Sequence, residues 1–355
     1  MKSAKTVFIL GAGTCQVPVI ERARADGHRV LVASLPGPYP GLALADETLE
    51  VDVRDREAIL EFARARQVDA VLTNQTDLPV PTAAYVAEQL GLPGIGLDAA
   101  RRFTDKYVMR AAAARCGASP IAFHKTASAD EAARLAADMS FPLVVKPVDN
   151  QGSRGVAKVG SLDDLPERFA AARDYAASGE VVIEEYFEGR EVAVDGLLLN
   201  GRFQSFSLGD VSFFDIPGKF IPKSIRYPSR LPAELQDAVR RANAAIVKKL
   251  GLPFGLTHAE YRVREDTGEL CLLEIAARGG GMFISSDIVP LCCGIEPEDI
   301  LLRLHLGESV EMPDASFDRA AGFYCFAPPP GRLVAVSGLD EAGELPGVHR
   351  VVWDL

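Results

Sequence analysis

Short apolar runs alternate with helix-period stretches through the first hundred residues. Thr6–Leu10 is an apolar run that stops at Gly11, and residues 17–26 carry a helical pattern closed by Gly27. Residues 29–33 (RVLVA) form a second run, residues 55–66 a second helical pattern, and residues 70–73 (AVLT) a third run. A further helical stretch through residues 85–90 stops at Gly91. Strands alternating with helices predict a parallel sheet covered on both faces, here an α/β domain over residues 1–97.

The pattern then changes. Residues 98–116 read as one helix with Gly117 as its stop. Residues 143–146, 162–177 and 181–184 predict strand, helix and strand within a central region of residues 98–187. From Glu191 the chain is strand-rich, and residues 192–199 and 202–206 meet at Asn200-Gly201, a tight hairpin signal. Residues 210–229, rich in Phe, Pro, Gly and Lys, predict an irregular covering loop. A helix over residues 233–250 precedes a second hairpin. Residues 331–355 read as the start of a strand-rich lobe, the end of a C-terminal region of residues 188–355.

Charge narrows the partners. The formal net charge of −11 argues against nucleic acid or an anionic membrane surface as the main target. The six cysteines form no CxxC and read as reduced thiols of a cytoplasmic protein. The opening MKSAKTVFIL runs straight into a strand without a signal-peptide pattern, and no apolar run reaches membrane-spanning length.

Gly11-Ala12-Gly13 follows a strand and opens a helix, yet Gln16 stands where a dinucleotide fingerprint has its third glycine. The second run ends in Ala33-Ser34-Leu35, with no carboxylate for a ribose. A structural turn or a substrate-facing loop is the better reading. Lys106 lies near the start of an apolar-patterned helix. Lys146 ends an apolar strand, where open α/β sheets place ligands. Gly152-Ser153-Arg154-Gly155 follows. Such a turn presents N–H groups to phosphate oxygens or simply reverses the chain, and the segment by itself fits both. Glu184, Glu185 and Glu191 lie in EEYFEGRE after the next strand. They suit an adenine amino group and sugar hydroxyls, or a solvated linker.

The second hairpin is more informative. With a five-residue loop over residues 265–269, Arg264 faces Leu270 and Glu260 falls opposite Glu274. Tyr261, Val263, Leu273 and Ile275 then share the apolar face. Directly opposed carboxylates, with Cβ atoms about 5 Å apart, repel unless a cation joins them. Oxygen ligands favour magnesium, and an edge carrying two unrelated glutamates is the alternative. Arg278 follows in step with Glu274, ahead of Gly279, Gly280 and Gly281, and arginine suits a carboxylate or a phosphoryl group in transfer. His258 shares the face of Glu260, as a site residue or as a satisfied structural histidine.

Lys106, Lys146, the glycine turn, the EExxxGxE string and the glutamate hairpin ending in RGGG occur in the order and rough spacing of the ATP-grasp superfamily. The chain resembles its carboxylate–amine ligases, including the L-amino-acid ligases, over nearly its whole length. That resemblance implies an N-terminal Rossmann-like domain followed by the two α+β lobes of an ATP-grasp fold. It implies ATP and magnesium, with manganese as a substitute, small-molecule carboxylate and amine substrates, and a homodimer. Lys106 and Lys146 would touch ATP phosphates, with Gly152, Ser153 and Gly155 in the loop closing over them. Glu184 and Glu185 would lie at the base, with Glu184 reading its amino group, and the Phe187 backbone would bond the ring. Glu191 would hold the ribose, Glu260 and Glu274 the metal. Arg278, with Lys146, would act on the acyl phosphate and the tetrahedral species after it. Substrate contacts are expected from His258, Lys223, Gly280 and Gly281, and pocket specificity from residues 74–77, 210–226 and 279–286. One departure stands out: the family commonly has Asn two residues after the second glutamate, where this chain has Ala276. A purine-pathway ligase, a biotin-carboxylase-like enzyme and a nucleotide-binding regulator are the competing functions.

Overall fold

A computed structural model describes residues 3–353, apart from 217–218, 316–318 and 328–330. The chain divides into two compact units, Met1–Tyr324 and Cys325–Leu355. Among the described residues no helix is long and apolar enough to cross a membrane.

The first unit opens with strands β1 (Thr6–Leu10), β2 (Arg29–Ser34), β3 (Glu47–Glu50) and β4 (Ala70–Leu72), paired in parallel in the order β3-β2-β1-β4. Helix α1 (Val17–Ala25) connects β1 to β2, α2 (Arg56–Ala65) connects β3 to β4, and α3 (Val80–Leu90) follows β4. The strand missed by the hydrophobic pattern is β3, whose sequence ETLE carries one apolar residue and sits at the sheet edge. Charged, short edge strands resist further pairing, and that same property hides them from a periodicity search.

The expected single helix over residues 98–116 is two, α4 (Leu97–Arg102) and α5 (Lys106–Arg115). Asp105 ends the first run because its carboxylate accepts the Val108 N–H at 2.9 Å and caps the second. Lys106 therefore begins α5.

A small antiparallel lobe follows. Strands β5 (Phe123–Thr126), β6 (Leu143–Pro147), β7 (Ala157–Val159) and β8 (Val181–Glu185) lie in the order β5-β8-β6-β7. Helices α6 (Ala129–Ala136) and α7 (Leu165–Asp174) pack on one face through Ala132, Ala136, Phe169 and Ala172.

The largest sheet has strands β9 (Arg190–Leu199), β10 (Arg202–Phe213), β11 (Pro222–Tyr227), β12 (Gly255–Val263), β13 (Leu270–Ala276) and β14 (Ala321–Tyr324), in the order β13-β12-β9-β10-β11-β14. Alternation divides its residues between faces. Val192, Val194, Ala259, Tyr261, Val263 and Ile275 pack against α5 and α8 (Ala233–Leu250). Glu191, Asp195, His258, Glu260 and Arg262 occupy the opposite face. Helices α9 (Val289–Cys293) and α10 (Pro297–His305) then join the N-terminal sheet to this one through a shared core.

The covering loop expected at residues 210–229 is mostly a hairpin. Strand β10 continues to Phe213, and Asp210, Val211 and Ser212 pair with Arg226, Ile225 and Ser224. Ile225 and Tyr227 are buried, and Arg226 binds Asp210 at 2.9 Å. Pro222 stands first in β11, where a missing N–H costs the ladder little. The strand-rich reading of residues 331–355 also fails. Among its described residues the second unit has the short helix Leu339–Gly343 and no strand, and Leu333, Val334, Val336, Val351 and Val352 remain exposed.

The β10–β11 pairing predicts that the amides of Ser224, Ile225 and Arg226 exchange with solvent at least about 100-fold more slowly than an open loop, without any ligand. Hydrogen exchange read by NMR measures this; loop-like rates until nucleotide is added would restore the mobile-cover view.

Candidate active site

The carboxylates come first, because the sheet forces them together. Glu260 on β12 pairs with Glu274 on β13, as expected, but the hairpin reaches that pairing by another register. Near the turn Val263 faces Leu270 and Tyr261 faces Leu272, and a bulge between Glu260 and Tyr261 inserts the extra residue. The loop is thus six residues, Arg264–Glu269, closed by the Arg264 N–H on the Glu269 carbonyl at 3.0 Å. Leu272 joins the apolar core, whereas Leu273, expected there, is half-buried.

Glu191 on β9 faces Arg262, which binds it at 3.0 Å. Burial pushes the Glu191 carboxyl up to about 8, and the Glu260 charge pushes the same way, while Arg262 opposes them. Glu260 goes the other way: burial would raise it, but His258, Arg278 and Lys106 hold it below the usual carboxylate range. Its side chain keeps 41 % of its surface accessible although protein surrounds it, as expected for a group on the floor of a cleft.

Four cations answer these charges. Lys106 reaches Glu274 at 2.7 Å and the Asn150 carbonyl at 2.5 Å. Lys146 lies 2.6 Å from Glu184, whose carboxylate is also gripped by Arg110. Burial lowers the Lys146 ammonium despite Glu184. Arg278 makes a two-pronged bond to Asp77, at 2.8 and 2.7 Å. His258 is the fourth. Its Nδ1 is 2.9 Å from Asp195 and its Nε2 3.8 Å from Glu260. Burial alone would lower the imidazole, yet Asp195 raises it to about 9, so it is an imidazolium at neutral pH. Asp195 is itself satisfied by Ser207 at 2.7 Å and Tyr227 at 2.9 Å.

The N-terminal domain forms a wall. Asn74 accepts the Gly279 N–H at 2.8 Å and donates to Glu298 at 2.9 Å, and Gln75 also donates to Glu298. Gln16, the residue that spoiled the dinucleotide pattern, donates to the Asn74 carbonyl at 2.8 Å. The glycines fit tightly: a Cβ on Gly279 would come within 2.2 Å of Ser285 Oγ, and one on Gly280 within 2.8 Å of His258. Gly281 has room for a side chain beside the Gln75 carbonyl. None of Asp77, Arg110, Asp195 or Glu298 was selected as a site residue from sequence. Asp77 lay inside the 74–77 segment; the others carry no local motif.

Other expected residues lie less directly at the cleft. Glu185 alternates to the far side of β8, where its carboxylate accepts the Ser140 and Ala122 N–H groups. Lys223 lies with its ammonium 5.4 Å over the Tyr324 ring, and nothing places it on the carboxylates. Phe187 is buried and its carbonyl accepts Arg262 at 3.1 Å. Gly152, Ser153 and Gly155 form a left-handed turn beyond Gln151, and Gln151 accepts the Asp77 N–H at 2.6 Å. The turn therefore leans toward the N-terminal wall, with its base beside Lys106.

Residues 139–287 match the model of the ATP-grasp domain. This chain carries an ATP-grasp domain. The matched ATP-grasp segment runs from the small lobe through Lys146, Glu260, Glu274 and Arg278, whereas Lys106, Asp77 and the Glu298 wall lie outside it. The chain is 29 % identical to the D-alanine–D-alanine ligase of Chlorobium luteolum, over 70 % of this chain and 79 % of that one. It is 25 % identical to the alanine–anticapsin ligase of Bacillus subtilis, over 74 % of this chain and 59 % of that one. The L-amino acid ligase of Bacillus licheniformis superposes with a TM-score of 0.81 at 25 % identity, over 99 % of this chain and 87 % of the other.

Folding raises His258 from 6.5 to about 9. Its pair with Asp195 thus stabilises the fold fully below about pH 6.5, and that stability is lost as pH rises through about 9. His258→Gln should lower the urea midpoint most at about pH 6 and least at about pH 10. An equal loss at both would show that the imidazole is not held charged.

Proposed function

We propose that this protein is an ATP-dependent ligase that phosphorylates a small carboxylate and couples its acyl group to an amine, releasing ADP and phosphate. The observation that carries this reading is the meeting of Lys106, Lys146, His258 and Arg278 with the opposed Glu260 and Glu274 in one cleft. Positive groups face the place where phosphate charge would lie, and carboxylates face the place for a cation between them. The thiols of Cys271, Cys292 and Cys293 are buried and raised by that burial, so none is set up as a nucleophile.

The donor set fits a magnesium ion shared with phosphates. Among the described residues no group of three or more His, Cys, Asp or Glu side chains is placed to hold a metal ion. Glu260 and Glu274 would supply two ligands, Ala276 cannot supply a third, and phosphate oxygens and water would complete the shell. When bound, the ion would neutralise charge on the nucleotide's transferring phosphate.

The chain's own groups do the rest. Lys106 and Lys146 orient the phosphates, and Glu191 offers oxygens to ribose hydroxyls. Glu184 sets the Lys146 ammonium while lying at the end of the strand that would meet the base. A carboxylate oxygen attacks the γ-phosphorus and ADP leaves; the amine then attacks the acyl carbon and phosphate leaves. His258 and Arg278 present positive charge to the oxyanion of the tetrahedral species, and Asp77 fixes the plane of Arg278. One oxyanion donor is worth about 10²- to 10³-fold in kcat.

Hydroxylamine added with ATP, magnesium and a panel of amino acids should give a hydroxamate in step with ADP and phosphate, because an acyl phosphate accepts strong nucleophiles. Arg278→Ala should slow this about 100-fold or more with the fold intact. Formation of AMP and pyrophosphate, or phosphate release that ignores every carboxylate, would refute the reading.

A further inference from the structure

One buried cation has no role in the chemistry above. Arg110 lies in α5 with 2 % of its surface exposed. Its guanidinium divides its donors between the two lobes that would grip the nucleotide. Nε and Nη2 bind the two oxygens of Glu184 at 3.0 Å each, on the small lobe. Nη1 donates to the Leu272 carbonyl and lies 3.2 Å from Cys271 Sγ, on β13 of the large sheet.

Both partners lead to the site. Glu184 Oε1 also holds Lys146 Nζ at 2.6 Å, so the fork that fixes Glu184 fixes the ammonium beyond it. Leu272 lies two residues before Glu274, opposite Tyr261 at the bulge that brings Glu274 to face Glu260. The Leu272 N–H is taken as well, by the Ala118 carbonyl at 2.9 Å just past the end of α5. Helix α5 and the segment just after it thus hold both the N–H and the carbonyl of the residue on which the metal strand's register turns.

We infer that Arg110 is a positioning residue: it sets the phosphate-facing Lys146 through Glu184 and, with the same guanidinium, the metal-facing register of β13 through Leu272. This rests on the nucleotide site proposed above. A buried ion pair often adds little stability over an apolar pair of the same volume. What a planar fork adds is fixed direction, and lysine, with one ammonium, cannot serve a carboxylate and a carbonyl on different strands together. Since neither partner binds nucleotide through Arg110 itself, its loss acts through both.

Titrating the full chain with ADP, with magnesium and then with EDTA, separates the two arms without any knowledge of the carboxylate. The parent should bind ADP, and magnesium should tighten binding about tenfold or more. Arg110→Lys should bind ADP at least about tenfold more weakly in EDTA and gain less than about threefold from magnesium. Normal ADP affinity and normal magnesium enhancement in that variant, even with a lowered melting temperature, would make Arg110 a purely structural ion and overturn the inference. If the lysine variant does not fold, Arg110→Gln sets an amide nitrogen where Nε stands, keeping one donor on Glu184 and leaving the Leu272 carbonyl without one. It should then lose most of the magnesium enhancement, and an enhancement equal to the parent's would overturn the inference equally. A parent that binds no ADP would instead defeat the nucleotide site, a separate result.

Discussion

Like charge on one sheet face is the constraint from which this site follows. Glu191, Asp195 and Glu260 project from neighbouring strands β9 and β12, and Glu274 joins from β13. Carboxylates placed side by side repel, and burial magnifies the repulsion. Every nearby cation is placed in answer: Arg262 on Glu191, Lys106 on Glu274, His258 between Asp195 and Glu260. Even so, burial, and after it the charge of Glu260, pushes Glu191 up to about 8 against the pull of Arg262. A polar surface of that kind is poorly suited to a stable core and well suited to a nucleotide with its metal.

The same economy explains why three separate folding layers converge here. Arg278 is held by Asp77 of the N-terminal domain, Lys146 by Glu184 of the small lobe, and Lys106 begins the helix between them. Asp77 reaches across from the N-terminal domain, Glu184 lies beside Lys146 in the small lobe, and Glu274 on the large sheet holds Lys106. Small rigid-body movements between layers would then change the spacing of the charges together. The Asn74–Glu298–Ser285 connections fix the N-terminal wall against the glycine segment.

Much of this was legible in the residues. Alternating apolar runs located three strands of the first sheet to within about a residue, and the order of Lys106, Lys146, Glu260, Glu274 and Arg278 pointed to the family. What stayed hidden had physical causes. Strand β3 is an edge with one apolar residue; Asp105 caps a helix inside what looks like a continuous one. The β10–β11 hairpin is written in Ser, Lys and Pro, which dilute alternation. The Glu260–Glu274 pair was expected from a simple ladder and is reached through a bulge, so a correct pairing came from an incorrect count. Arg110, Asp195 and Glu298 gather their partners from segments more than 70, 60 and 200 residues away or across a sheet, and no local string announces them.

The central claim is that these charges serve transfer of a phosphoryl group to a carboxylate oxygen. Isotope transfer tests it at the bond concerned. With both carboxylate oxygens of the substrate labelled with ¹⁸O, an acyl phosphate route moves one labelled oxygen into the phosphate released and leaves the other in the amide. Mass spectrometry of the phosphate should therefore find one ¹⁸O per phosphate formed. Unlabelled phosphate, or label appearing in AMP, would contradict the account.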